Sequence, residues 1–370
     1  MLTKFSVSNF KSFNTEFTFD LQDTNAYAFN KESIKNGVVN NAIVYGYNGI
    51  GKSNLGLAIF DIISHLTDNN KNSSQYSFYL NAINNSDTAN FKYEFLFDTN
   101  TVVYEYRKTD NKTIISEKLL INGKNLAFID RDIDNTAIVK LKGTENLKTE
   151  LIDKELSLIK YIKNNSILDI NTDNKVFMDF IDFVEGMLFF RSLTDNMYLG
   201  LETGSRIIVE DIIEKKNVKD FERFLNQARV DCKLAVVKGV DKDTLAFDFN
   251  GKTISFDQIA SQGTKSLALF YFWMQRLKEE SKVSFVFVDE FDAFYHHELS
   301  ALIVEELKKT GIQFILTTHN TSIISNDILR PDCYFLMKKE SIKSLSKYTS
   351  KELREAHNIE KMYKAGSFNG

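Results

Sequence analysis

One eight-residue run constrains this chain more than any other feature: Gly46-Tyr47-Asn48-Gly49-Ile50-Gly51-Lys52-Ser53. It fits the pattern G-x-x-x-x-G-K-[ST], a glycine-rich turn that wraps phosphate. The flanks agree. Residues 42–45, Ala-Ile-Val-Tyr, read as a short apolar strand, and Leu55, Ile59, Ile62, Ile63 and Leu66 recur afterwards at helical spacing. A strand–loop–helix unit of this kind points to an α/β fold. Glycines let the backbone turn successive N–H groups toward one point, and a helix N-terminus adds partial positive charge there. Gly46, Asn48, Gly49 and Gly51 are therefore the expected cradle. Lys52 is expected to reach the β- and γ-phosphates of a nucleotide, and the Ser53 hydroxyl to ligate Mg²⁺.

Three further segments carry chemistry. Residues 284–288 read as a strand buried on both faces, and it ends on two carboxylates, Asp289 and Glu290. Asp289 is placed to hold Mg²⁺ through water, and Glu290 to polarise an attacking water as general base. Alone, the pair would read as an exposed acidic strand end. Thr317-Thr318-His319-Asn320 follows a strand at 312–316. His319 is placed to contact a γ-phosphate, although a lone histidine is more often structural. Ser261-Gln262-Gly263-Thr264-Lys265-Ser266 precedes a helix at 267–276. It reads either as a plain helix cap or as an anion site, and its place between the glycine-rich loop and the acidic strand favours the second.

Elsewhere the patterning changes along the chain. Phe5, Val7, Phe17, Phe19 and Leu21 alternate with polar residues. Strands at 91–97, 102–106, 113–121 and 126–129 continue as an antiparallel meander, with Asn122-Gly123 as a tight turn. Residues 145–230 turn helical: Leu151, Ile152, Leu156, Ile159 and Ile162 mark one helix, Phe177, Phe180, Ile181, Val184 and Leu188 a second, and 207–215 and 218–228 two more. No heptad pattern persists, which excludes a long coiled coil. Strands are expected again at 234–237, 244–249, 253–256, 283–289, 312–318 and 333–337, with helices at 264–280 and 297–309. The expected division is an N-terminal lobe over 1–144 with the glycine-rich loop and the meander, a helical insert over 145–230, and a C-terminal lobe over 231–370.

The net charge of −4 supplies no global field to draw nucleic acid, so such binding is left open without support. Lys338, Lys339, Lys343, Lys347 and Lys351 form a loose basic stretch that reads foremost as a solvated face. Cys232 and Cys333 match no metal spacing and suit a reducing compartment. His296-His297-Glu298 does not fit H-E-x-x-H. No signal-peptide core opens the chain, and the longest apolar runs fall short of the ~18–20 residues that span a bilayer. A soluble, cytoplasmic protein away from membranes is expected.

Taken in order, the glycine-rich loop, Ser261-Gln262-Gly263, Phe287-Val288-Asp289-Glu290 and Thr317-Thr318-His319 resemble the ABC ATPase class. Asn9-Phe10-Lys11-Ser12-Phe13 looks like the opening of its SMC, RecF and OLD-type heads. The resemblance implies an α/β ABC-type head with an antiparallel β subdomain and an inserted helical subdomain. It implies ATP and Mg²⁺ as cofactors, and a homodimer or higher homo-oligomer, because the Ser-x-Gly segment of that class meets ATP held by the opposite subunit. Ser261 and Gly263 take that part here. Asp292 falls at the D-loop, Gln75 at the metal-binding glutamine of the Q-loop, and Lys11 where it approaches adenine or phosphates. The signature reads Ser-Gln-Gly-Thr-Lys rather than Leu-Ser-Gly-Gly-Gln, and a helical insert stands in for the SMC coiled coil. The tail, Leu353-Arg354 to Tyr363-Lys364-Ala365-Gly366-Ser367-Phe368, resembles stand-alone members from abortive-infection and phage-defence operons, the RloA, AbiL and AriA type. That implies a sensor or regulatory ATPase controlling an effector, a toxin or nuclease encoded nearby. A RecF-like repair ATPase and an ATP-gated scaffold are the alternatives. The stretch after His319 is too short for the Toprim nuclease domain of OLD proteins, so any nuclease is expected in trans.

Overall fold

The computed structural model describes residues 1–68, 76–191, 197–200, 208–239, 242–278, 282–292 and 297–368. The chain opens with the antiparallel pair β1 (Leu2–Ser8) and β2 (Phe17–Asp20), then a small ladder of β3 (Ile34–Lys35) and β4 (Val38–Val39). β5 (Asn41–Tyr45), buried along its whole length, leads through the glycine-rich turn into α1 (Lys52–Ile59) and one more turn, α2 (Ile63–Leu66). Sequence spacing predicts a single helix here, but it breaks at residues 60–62. At the break the buried Asp61 carboxylate accepts from the hydroxyls of Tyr79 (2.9 Å) and Tyr106 (3.0 Å) and pairs with the Lys108 ammonium at 3.0 Å.

The meander follows: β6 (Ala89–Phe97), β7 (Asn100–Lys108), β8 (Ile114–Ile121), β9 (Lys124–Asp130) and β10 (Ile138–Val139). With β1 and β2 it forms a seven-stranded antiparallel sheet in the order β10-β9-β8-β7-β6-β1-β2. Alternation decides its faces. In β6, Phe91, Tyr93 and Phe95 are buried, while Asn90, Lys92 and Glu94 stand on the opposite face.

Next come α3 (Leu158–Asn165), α4 (Thr172–Glu185), β11 (Met187–Arg191), β12 (Met197–Gly200), α5 (Ile208–Glu214) and α6 (Val218–Gln227). Two expectations are corrected here. The helix expected from Leu151 starts only at Leu158, because Ser157 caps it, accepting from the Lys160 N–H, and Glu117 of β8 takes the Leu158 N–H at 2.6 Å. The second helix stops at Glu185, and Leu188 lies in β11, a strand paired in parallel with the acidic strand. The stretch 145–230 is thus not a purely helical insert.

The remainder runs β13 (Leu234–Val237), β14 (Thr244–Phe249), β15 (Lys252–Ser255), α7 (Phe256–Ile259), α8 (Gln262–Lys278), β16 (Phe285–Asp289), α9 (His297–Thr310), β17 (Gln313–Thr318), β18 (Tyr334–Met337), β19 (Ile342–Ser344) and α10 (Ile359–Lys364). The second sheet has the order β12-β11-β16-β17-β5-β18-β19, parallel from β11 to β18 with an antiparallel strand at each edge. Its strands β16, β17 and β5 are buried at every position, as parallel strands covered on both faces are.

Two apolar cores result among the described residues. The larger joins both seven-stranded sheets with α1, α4 and α9. The smaller packs α5 and α6 (Ile212, Phe221, Leu225) against β13, β14, α7 and the start of α8 (Leu234, Phe247, Phe256, Leu267, Tyr271). A boundary expected at residue 230 therefore runs through this core, because α5 and α6 bury their apolar faces on the strands that follow them. Among the described residues no helix is long and apolar enough to cross a membrane.

Candidate functional site

Parallel register brings three strand ends to one edge. β17 lies between β5 and β16, with Thr318 opposite Tyr45 and Leu316 opposite Val288. The glycine-rich turn, the acidic pair and His319 thus emerge side by side at the carboxyl ends of the strands, where open α/β sheets bind their ligands.

Gly51 caps α1 at φ 108°, a conformation that side chains rarely adopt, and a Cβ there would come within 2.7 Å of Ser12 Oγ. The turn at residues 9–13 is therefore seated on the loop, and Ser12 Oγ also accepts from Asn54 Nδ2 at 2.9 Å. At Gly56 a Cβ would fall 2.7 Å from the Phe287 ring, so α1 lies hard against β16. Its N-terminus points to the edge that carries the carboxylates.

The Lys52 side chain donates to the carbonyls of Gly46 (2.7 Å) and Tyr47 (3.2 Å). Burial pulls its ammonium below the usual lysine pKa, opposed by the negative charges of Glu290, Asp289 and Asp292. The P-loop lysine and all three acidic residues thus share one electrostatic site.

Two threonines organise that site. The buried Thr317 hydroxyl donates to Asp289 Oδ1 at 2.7 Å and accepts from the Glu290 N–H at 2.8 Å. Glu290 sits at φ 48°, a left-handed conformation that costs a non-glycine residue about 1–3 kcal/mol. Thr318 Oγ1 donates to Asp292 Oδ2 at 2.8 Å, while Asp292 Oδ1 is buried with no donor among the described residues. Burial raises the Asp292 pKa, with the Thr318 hydrogen bond the first effect opposing it. His319 follows immediately and is exposed. Sequence reasoning assigned no role to either threonine, although two hydroxyl residues closing an apolar strand were the available signal.

The remaining candidates lie elsewhere. Ser261 Oγ accepts from the Thr264 N–H at 3.1 Å and so caps α8. Ser261 is exposed, and with Thr264 it lines a groove of about 490 Å³ beside Cys232, Phe247, Phe249 and Ile259. That groove takes no lining residue from the P-loop. Lys11, at φ 47°, is held by residues 77–79: its N–H donates to Tyr79 O and its Nζ to Ser77 O, both at 2.9 Å. Gln75 lies outside the described residues, as do the side chains of His296, His297 and Glu298.

A protein family described as "AAA domain, putative AbiEii toxin, Type IV TA system" matches residues 42–325, from β5 to beyond His319. The chain belongs to this family. The match contains the whole strand edge, and with it the fold is that of a P-loop ATPase domain. Solved structures similar to the chain include an Smc head bound to the C-winged helix domain of ScpA (15% identity, 94% of this chain and 98% of that one, TM-score 0.46). Another is the SMC head domain from Thermotoga maritima (16%, 93% and 99%, TM-score 0.42). A third is the Smc head with an extended coiled coil bound to the C-terminal domain of ScpA, derived from Pyrococcus furiosus (14%, 94% and 97%, TM-score 0.44). No curated protein matches the chain.

Proposed function

We propose that this chain is an ABC-type ATPase that binds ATP·Mg²⁺ at the β5–β17–β16 edge and closes on a second copy as a nucleotide-gated dimer. The observation that supports this best is the division of phosphate-binding groups between two cores. The elements that carry the P-loop, Asp289, Glu290 and His319 pack in the larger one, while the helix start at Ser261–Gly263, with Ser261 and Gln262 exposed, leads into the smaller one. A phosphate cradled by one copy then meets the first-turn N–H groups of α8 from the other. Binding energy goes into closing the interface, and hydrolysis reopens it.

The residues present fit the nucleotide and its metal. The first turn of α1 offers backbone N–H groups, Lys52 a cation, and Ser53 and Asp289 the hard oxygen donors that Mg²⁺ prefers. When bound, Mg²⁺ supplies neutralisation of phosphate charge. Gly46, Asn48, Gly49 and Gly51 shape the cradle. Glu290 takes the proton of the attacking water, His319 contacts the γ-phosphate, and Asp292 shapes the D-loop. Gln75 serves as the Q-loop metal ligand, and Lys11 contacts the nucleotide once it leaves Ser77. The family's description names a toxin–antitoxin system. Together with the tail motif, it supports a cytoplasmic sensor or regulatory subunit of an abortive-infection system, controlling an effector in trans.

Mixing two dead variants tests the composite site. Gly263→Asp places a charge where backbone must approach phosphate, and Lys52→Ala removes the loop cation; each homodimer should be inactive. The mixture forms a heterodimer with one site carrying both lesions and one carrying neither, and it should regain ATPase activity. A site built within one subunit gains nothing from mixing.

A further inference from the structure

The tail at residues 353–368 takes no part in the site as described, yet buried side chains and hydrogen bonds anchor it to the body of the protein. Leu353, Ile359 and Phe368 are buried in the larger core. The Asn326 side-chain amide donates to the carbonyls of Arg354 (2.9 Å), Glu355 (3.1 Å) and His357 (3.1 Å). Asn358 Oδ1 then accepts from the Lys361 N–H at 2.8 Å and so starts α10. That helix packs against the 3-10 turn Thr321–Ile323, which follows His319 by a single residue.

From α10 the Tyr363 ring meets Tyr45 edge-on, with centroids 5.1 Å apart and planes at 74°. Tyr45 in turn meets Tyr47 at 6.2 Å and 67°. Tyr45 ends β5 and Tyr47 is the second residue of the P-loop, and the Tyr47 carbonyl is one of the two that hold the Lys52 ammonium. Tyr47 is 71% exposed, so the edge contact with Tyr45 is a main part of what its ring touches. Burial, and then the hydroxyls of Tyr45 and Tyr47, raise the Tyr363 pKa well above the usual tyrosine value. A loop with glycines at 46, 49 and 51 loses much conformational freedom when it closes on a ligand, and a contact that restrains it beforehand reduces that loss.

We propose that Tyr363 is a positioning residue for the nucleotide loop: through Tyr45 and Tyr47 the carboxy-terminal helix holds the P-loop in its binding shape and ties it to the turn after His319. This rests on the ATP-site reading given above. It makes the tail a determinant of ATP affinity, with little influence on the rate of the chemical step.

The test uses the full-length protein with Mg²⁺ and ATP, read by calorimetry and by steady-state phosphate release. Ring contacts of this kind change a binding constant by about two- to tenfold each. Tyr363→Ala should therefore raise Kd and KM for ATP by about tenfold and leave kcat within about twofold, and Tyr363→Phe should recover part of the affinity. In a Tyr47→Ala background, Tyr363→Ala should have little further effect, because the pair acts as one unit. Unchanged ATP affinity in Tyr363→Ala overturns the proposal. So does a loss of the same size with and without Tyr47, which marks the tail as merely structural. Should Tyr363→Ala fail to fold, the cycle of Tyr363→Phe with Tyr47→Phe decides on the same criterion. A wild-type chain that binds no ATP defeats the site reading itself.

Discussion

Thr317→Val retains the shape of the side chain and deletes one hydroxyl, and that hydroxyl serves two residues. It donates to Asp289 Oδ1 and accepts from the Glu290 N–H, at 2.7 and 2.8 Å. Without it, Asp289 loses a donor in a buried setting and the strained Glu290 backbone loses an anchor. A hydrogen bond to a charged group contributes about 1.5–3 kcal/mol. At 1.36 kcal/mol per tenfold in rate, its loss from the transition state lowers kcat by about ten- to a hundredfold. Lys52 and the P-loop are untouched, so ATP affinity should move by less than about threefold. Thr317→Ser keeps the hydroxyl and should restore most of the rate. Phosphate release at saturating ATP measures the first effect, calorimetry the second, and a thermal melt verifies folding. A folded Thr317→Val protein turning over like wild type refutes the reasoning, as does a serine variant as slow as the valine one.

Two further outcomes follow from buried charge. The Asp61–Lys108 pair has no exposed side-chain surface, so Lys108→Met strands a carboxylate and should cost about 3–5 kcal/mol in urea unfolding. Adding Asp61→Asn should recover most of that, and a single variant as stable as wild type would show the pair to be dispensable. At Asp292, burial raises the folded-state pKa, so its stabilising share is complete below the ordinary carboxylate pKa and is lost as pH rises through the raised value. Asp292→Asn removes that loss: its melting temperature should gain on wild type with rising pH across the window and then keep a constant lead, and a lead that shrinks with pH would contradict the sign.

Motifs at or just after a strand end were legible from sequence, and the parallel register of β5, β17 and β16 brings Lys52, Asp289 and His319 to one edge. So was the period-2 pattern of β6, where Phe91, Tyr93 and Phe95 face inward. Contacts between distant residues were not. The break after α1 coincides with Asp61 meeting Lys108, which no local pattern around residue 61 announces. Residues 187–190 form an apolar run buried in a parallel sheet, and such a run offers no periodicity to separate strand from helix. Tyr363 reaching back to Tyr45 joins the two ends of the chain, a pairing that only the fold creates.

The dimer is tested most directly by sedimentation of Glu290→Gln, which keeps the size of the base and removes its function, so that bound ATP·Mg²⁺ persists. The variant should sediment as a monomer without nucleotide and as a dimer with ATP·Mg²⁺, and should remain a monomer when Lys52→Ala is added. A Glu290→Gln chain that binds ATP and stays strictly monomeric at high concentration would contradict the dimer. Ser261 and Gly263 would then cap α8 and do nothing more.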